Sequence, residues 1–305
     1  MSSNNHVLIV GSIAFDDLEM PTGIYENVWG GAATYASIAA SVFSKVHIVG
    51  VVGDDFPISL LNSFKERGID TQGIERAPGK TFRWRGRYSH DLLSRITLET
   101  HLNVFSQFSP TIPESARHDP LILLGNIHPR LQQEVLNQLI APHMVIVDTM
   151  NFWIAQEPTA LNRLLEKTDV LVINEEETRE LSGIHNLVKA AKNILKRGPK
   201  QLIIKRGEHS ALLFDQEDIF FVPAYPLEDV LDPTGAGDAF AGGLIGYLAT
   251  CTDISSSTLR EGMYYATALA SFCVEGIGTE RLLAISTNNL IERTNKLKEL
   301  VLVHR

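Results

Sequence analysis

Short stretches of the chain in which almost every position is apolar recur at regular intervals: VLIV at 7–10, VHIVGVV at 46–52, LILL at 121–124, VIV at 145–147, VLVI at 170–173 and LIIK at 202–205. Each ends in glycine or a polar residue, and a stretch with helix-like spacing follows it. That alternation predicts βα units. Strands this apolar are covered on both faces, which predicts a central, mainly parallel sheet flanked by helices. A different period appears at 81–88, TFRWRGRY, where Phe82, Trp84, Gly86 and Tyr88 share one face and Thr81, Arg83, Arg85 and Arg87 the other. A second alternating run follows at 95–102, so the two can pair as a small antiparallel lid, or as an ordinary edge hairpin with solvated arginines. The tail, 288–305, predicts a final amphipathic helix.

In open parallel sheets, ligands bind beyond the carboxyl ends of the strands. The residues following the apolar runs are Asp16; Asp54 and Asp55; Asn126 and His128; Asp148 and Asn151; Asn174 with Glu175, Glu176 and Glu177; and Arg206 with Gly207. Any one of them alone reads as a helix cap. Their shared placement is what predicts a polar, chemically active edge.

Composition narrows the class. With 305 residues, 44% hydrophobic and 21% charged, the chain reads as globular, and a net charge of −9 disfavours nucleic acid as a partner. Two cysteines, Cys251 and Cys273, offer neither a zinc motif nor a disulfide framework. The amino terminus lacks the basic flank of a secretion signal, and the weakly polar stretch 239–251 is too short to cross a bilayer. A cytoplasmic protein without membrane contact is expected.

Several motifs fail on spacing. The first strand ends in GSIAFD, without the GxGxxG needed for close approach to a dinucleotide pyrophosphate. GIERAPGKT at 73–81 puts five residues between its glycines where a phosphate-binding P-loop needs four, and no apolar strand precedes it. The informative string is DPTGAGDAFAGGLIGYLA at 232–249. Proline and glycine forbid regular structure up to Gly237, and the apolar segment from Ala239 suits a helix packed closely on its neighbours. Unpaired N–H groups at Gly235, Ala236, Gly237 and Asp238 would then converge with the positive end of a helix dipole, an anion site. A carboxylate beside such a cradle can cap the helix, but it is also placed to take a proton from an attacking hydroxyl while the amides hold a phosphoryl group. Phosphoryl transfer is the sharper reading.

On these residues the chain resembles the ribokinase-like, or PfkB, family of sugar and nucleoside kinases, whose second signature is a DTxGAGD-type string. GSIAFDD at 11–17 is similar to the family's first strand and substrate-binding Asp, WGGAA at 29–33 to its first signature, VGDDF at 52–56 to its G-x-D-x-F segment, and NEEE at 174–177 to its NxxE motif. The resemblance implies a three-layer α/β/α fold over one domain, 1–305, with lid strands inserted at about 12–35 and 81–104. It implies ATP and Mg²⁺ as cofactors, Mg²⁺ lying near Asn174 and Glu177 through water, with a monovalent cation such as K⁺ by analogy. Asp238 would be the base and Gly235, Ala236 and Gly237 the anion hole. Asp16, Gly30 and Gly31, with Thr34 and Tyr35, would meet the acceptor, a sugar or a nucleoside. Asn174, Glu177, Lys205, Gly207 and Thr234 would meet nucleotide or phosphate. A homodimer through the lid is also implied.

Two departures bear on substrate and nucleotide. Tyr35 stands where the family commonly has a sugar-contacting Asn, and KRGEHS at 205–210 keeps Gly207 but puts Lys205 in place of a threonine. Lys205 either meets a phosphate or is solvated. The rings of Phe82, Trp84, Tyr88 and Trp29 could stack on a nucleobase or pack internally. Two rivals remain: a phosphosugar kinase using Arg83, Arg85 or Arg87, and a non-catalytic ligand-binding module on the same fold.

Overall fold

The computed structural model describes residues 6–216 and 218–302. Among these residues, thirteen strands form two sheets. In chain order they are β1 (Val7–Val10), β2 (Ala14–Met20), β3 (Gly23–Gly30), β4 (Val46–Val52), β5 (Ile69–Arg76), β6 (Phe82–Tyr88), β7 (Arg95–His101), β8 (Leu121–Leu124), β9 (Met144–Asp148), β10 (Val170–Asn174), β11 (Gln201–Lys205), β12 (Ser210–Phe214) and β13 (Ile219–Pro223). The large sheet runs β13-β12-β11-β10-β9-β8-β1-β4-β5. From β5 to β11 all pairs are parallel, while β12 is antiparallel to both its neighbours. Two buried clusters explain the near-continuous apolar runs. Val7 and Ile9 face one and Leu8 and Val10 the other, so each central strand is covered on both sides by helices. The architecture is the α/β/α layering with a mainly parallel sheet that the sequence predicts.

The small sheet runs β3-β2-β6-β7. β6 and β7 pair antiparallel, with a register shift between Arg85 and Gly86, and β2 lies parallel to β6. Its entry is pinned by the acidic pair after β4: Asp54 accepts from the Gly79 amide at 3.1 Å, and Asp55 accepts from Thr81 N at 2.7 Å and from its hydroxyl at 2.6 Å. These carboxylates therefore anchor the lid and do not cap the following helix. Thr81, expected on the strand's polar face, lies just before it and is wholly buried.

The final helix spans Thr287–Glu299 and buries Leu290, Thr294 and Leu297 on one face. Residues 1–5, in the segment expected to lack a secretion signal, and 303–305, expected in the final helix, lie outside the described residues. Among the described residues, no helix is long and apolar enough to cross a membrane.

Candidate active site

Two helices made largely of small residues set the site. A side chain on Gly242 would collide with the Ala36 carbonyl, and a Cβ on Gly246 would sit 2.7 Å from Ala40 Cα. The glycines of the string therefore let helix Ala236–Leu248 lie directly against helix Ala32–Ala40. Because Ala36 meets Gly242 and Ala40 meets Gly246, the two run parallel. Their amino termini open at the same end, beyond the carboxyl edge of the sheet, where two positive dipole ends converge.

Gly235 caps the second helix at φ 75, a conformation that favours glycine, and the Tyr35 ring lies where its Cβ would be. Among the described residues, the amides of Gly235, Gly237 and Asp238 donate to no protein acceptor. That of Ala236 makes only a turn bond to the Pro233 carbonyl at 3.3 Å. Asp232, fully buried, holds the loop by accepting from Thr234 N at 2.8 Å and Gly278 N at 2.9 Å. The Thr234 hydroxyl is occupied by Tyr88 at 2.7 Å, so it joins the loop to the lid.

The Asp238 carboxyl is half-buried, without a hydrogen-bond partner among the described residues. Burial, then the charge of Asp148, pushes its pKa up to about 7. Asp16 comes from β2. A side chain on Gly30 would overlap its carboxyl group, which is why the twin-glycine segment is needed there. Burial, reinforced by Asp232 and Asp238, pushes Asp16 up to about 8.

Lys205 Nζ lies 3.0 Å from Asp148 Oδ2 and 2.9 Å from where a Cβ on Gly237 would stand. Burial works against its charge, but Asp148, Glu177 and Asp238 outweigh it and hold the ammonium above its usual pKa. Lys205, expected either to meet a phosphate or to be solvated, is a mostly covered cation paired with Asp148 beside the glycine loop. Asn174 and Glu177 form a reciprocal cap, Asn174 Oδ1 accepting from Glu177 N and Glu177 Oε2 from Asn174 N, both at 2.8 Å. The Glu177 carboxyl, pushed up to about 7 by burial, keeps its second oxygen out of this pair.

A profile of the pfkB family carbohydrate kinases matches residues 5–285. The chain belongs to this family. It is a phosphotransferase with an alcohol group as acceptor, a sugar or nucleoside kinase of the ribokinase family. A cytidine kinase of Thermococcus kodakarensis is 30% identical over 268 residues, covering 84% of this chain and 95% of that protein. Among solved structures, a nucleoside kinase of Burkholderia thailandensis in complex with inosine superposes with a TM-score of 0.76 at 20% identity, over 95% of this chain and 98% of its own. A putative ribokinase II of E. coli in complex with ATP and Mg²⁺ gives 0.79 at 20% identity, over 97% and 99%.

Other predicted positions are placed differently. Thr34 and Tyr35 are 0% and 1% exposed, and neither hydroxyl has a hydrogen-bond partner among the described residues. The site is not brought to them as substrate-reading hydroxyls, because the helix contact buries them beneath the loop. Gly207 lies in the exposed turn between β11 and β12 at φ 55. Of the aromatic residues, Trp29 packs edge-on against Phe64 at 4.7 Å and Phe82 stacks on Phe105 at 5.3 Å, so these two pack internally. The β6 arginines are taken up by lid carboxylates: Arg83 by Asp17 at 3.7 Å, Arg85 by Glu19 at 2.8 Å and Arg87 by Glu19 at 2.5 Å.

Two further charged residues stand near these groups. Asp148 is visible only as the polar end of an apolar run. Arg95, first residue of β7, stands over the Trp84 ring at 5.6 Å, and its charge acts on Asp16, Asp238 and Glu177. Alternation could locate the strand but not the direction of this side chain.

Proposed function

We propose that the protein transfers the γ-phosphoryl group of ATP to the hydroxymethyl group of a nucleoside's ribose. Asp238 is the general base, and the amides of Gly235, Ala236 and Gly237 form the anion hole. One observation carries the reading: a carboxyl without a hydrogen-bond partner among the described residues, its pKa pushed up to about 7 by burial, sits at a helix amino terminus where the amides of Gly235 and Gly237 donate to no protein acceptor.

Asp16, with Gly30 leaving room for its carboxyl group, accepts hydrogen bonds from the acceptor's hydroxyls beside the backbone of Gly30 and Gly31 and so orients the hydroxymethyl oxygen. Asp238 takes the proton from that oxygen as it turns nucleophilic. The loop amides and Lys205 face the charge that builds on the transferring group. Arg95 adds a positive charge from the lid side, and closure of the lid excludes water as a competing acceptor.

The donor set fits the cofactors. Free amides and a buried ammonium suit nucleotide phosphates, and the second oxygen of Glu177 suits a hydrated Mg²⁺ beside Asn174. When bound, Mg²⁺ supplies neutralisation of phosphate charge. A monovalent cation such as K⁺ is included by analogy with the family. Ile96 and Leu98, exposed on edge strand β7, support a homodimer formed through the lid. Cytoplasmic residence is consistent with this chemistry.

A nucleoside is preferred to a phosphosugar because Arg83, Arg85 and Arg87 already have carboxylate partners within the lid. The cytidine kinase among the relatives supports the same choice. The test is ATP consumption by the purified protein with Mg²⁺, with and without K⁺, against nucleosides, ribose, and fructose 1- and 6-phosphate. Preference for a nucleoside is expected. Turnover confined to a phosphosugar would overturn the acceptor assignment.

A further inference from the structure

The opposite, amino-terminal edge of the large sheet carries a second constellation that phosphoryl transfer does not use. The parallel register brings it together: Val7 pairs with both Val46 and Leu121, and His47 pairs with Asp70. His6, just before β1, His47, at the start of β4, and Asp119, just before β8, therefore meet at one place. Their ligand atoms lie within 4.8 Å of one another. His47 Nδ1 is 2.6 Å from Asp119 Oδ2, and His6 Nδ1 is 4.0 Å from Asp119 Oδ1. The two imidazole rings stand edge to face at 5.1 Å.

We propose that His6, His47 and Asp119 form a binding site for a transition-metal dication of the zinc, cobalt or nickel type. Two neutral imidazoles and one carboxylate are the donor set such ions prefer, whereas Mg²⁺ and Ca²⁺ favour oxygen-only shells. Asp119 is 5% exposed and the His47 side chain 12%, so both ligands are held by packing rather than free in solvent. The His6 side chain, 39% exposed, faces the open side, where water completes the coordination.

A supporting shell is also present. Asp70 Oδ2 lies 3.8 Å from His47 Nε2, the nitrogen turned away from Asp119, too far for a hydrogen bond but close enough for a carboxylate charge to face the ring from behind. Asp70 is fixed in turn by the amide of Gln72 at 2.8 Å and its side chain at 3.1 Å. The bound ion would tie together the amino ends of β1, β4 and β8, a staple remote from the carboxyl edge where Asp238 lies. The alternative is a plain His47–Asp119 ion pair bridging two strands with no affinity for metal.

The experiment uses the full chain stripped of metal and titrated with Co²⁺ and, separately, Zn²⁺. Binding is followed by Co²⁺ visible absorption and calorimetry, and stability by thermal unfolding. One equivalent per chain is expected, with a visible band of four- or five-coordinate Co²⁺ and a rise in Tm. His6→Gln, on the exposed side where folding is least at risk, weakens affinity about tenfold or more, and His47→Gln abolishes the band. Kinase activity assayed with Mg²⁺ is unchanged in His6→Gln. No saturable binding by the parent chain, or binding unaltered in His6→Gln, would overturn the proposal. If His47→Gln fails to fold, His6→Gln alone decides.

Discussion

The Tyr88 hydroxyl, on a lid strand, lies 2.7 Å from Oγ1 of Thr234, the residue directly before the glycine loop. Tyr88 is buried with Leu18 and Met20 on the lid's inner face. The bond therefore ties the lid to the glycine loop, which in the proposed function cover the acceptor and hold the phosphoryl group respectively. Losing one neutral, part-buried hydrogen bond costs about 1 kcal/mol. In Tyr88→Phe the ring still fills its place but the tie is gone, so kcat/KM falls roughly fivefold, while Tm changes little. Steady-state kinetics beside a melting curve check this, and an unchanged kcat/KM would show that the contact does not couple lid and loop.

Asp238→Asn removes the proton acceptor and leaves the backbone cradle in place. Turnover is expected to drop by about 10²–10⁴-fold, with ATP affinity retained or tightened because a negative charge beside the phosphates is gone. Single-turnover kinetics and calorimetric nucleotide titration separate the two effects. Rates comparable to the parent would remove Asp238 from the chemistry.

Strands β1, β4, β8, β9, β10 and β11 were legible because both their faces are covered, which writes them as apolar runs, whereas β5, an edge strand buried only at Ile69, was not, although it runs into the glycine-spaced segment at 73–81. β12 and β13 carry the same signal more weakly: Ile219 and Phe221 on β13 are exposed, so that strand reads as half-buried. The β2–β3 hairpin was harder still. Its register shifts between Asp16 and Leu18, breaking the alternation at the acidic residue that matters most. The glycine string could be read locally because a turn and a helix start are local events. Nothing in spacing shows that Asp148, Glu177, Lys205 and Asp238, drawn from two strand ends and the first turns of two helices, share one field of charge. Nor could the arginine face of β6 be read as neutralised, since its partners Asp17 and Glu19 lie on β2.

Asp16 at about 8, and Asp238 and Glu177 at about 7, all have pKa values well above those of exposed carboxyls, chiefly through burial. In the unfolded chain these groups titrate near 4. From about pH 4 upward the folded state thus holds protons that the unfolded chain has released. Their contribution to stability is complete below that range and is lost as pH rises to about 8. The ligand-free protein is therefore expected to melt at falling temperature from pH 5 to pH 8.5. Asp16→Asn, neutral throughout, flattens that slope and raises Tm at pH 8 by roughly 2–4 °C for each kcal/mol relieved.

Activity runs the other way. In the proposed function the ionised forms of Asp16 and Asp238 accept hydroxyl hydrogens, so kcat/KM is expected to climb through pH 7–8. Asp16→Asn raises the acceptor KM by about 10–100-fold. Calorimetric scans without ligand, paired with a pH profile, test both halves. A variant no more stable than the parent at pH 8 would show that the buried carboxyl is not the source of the slope.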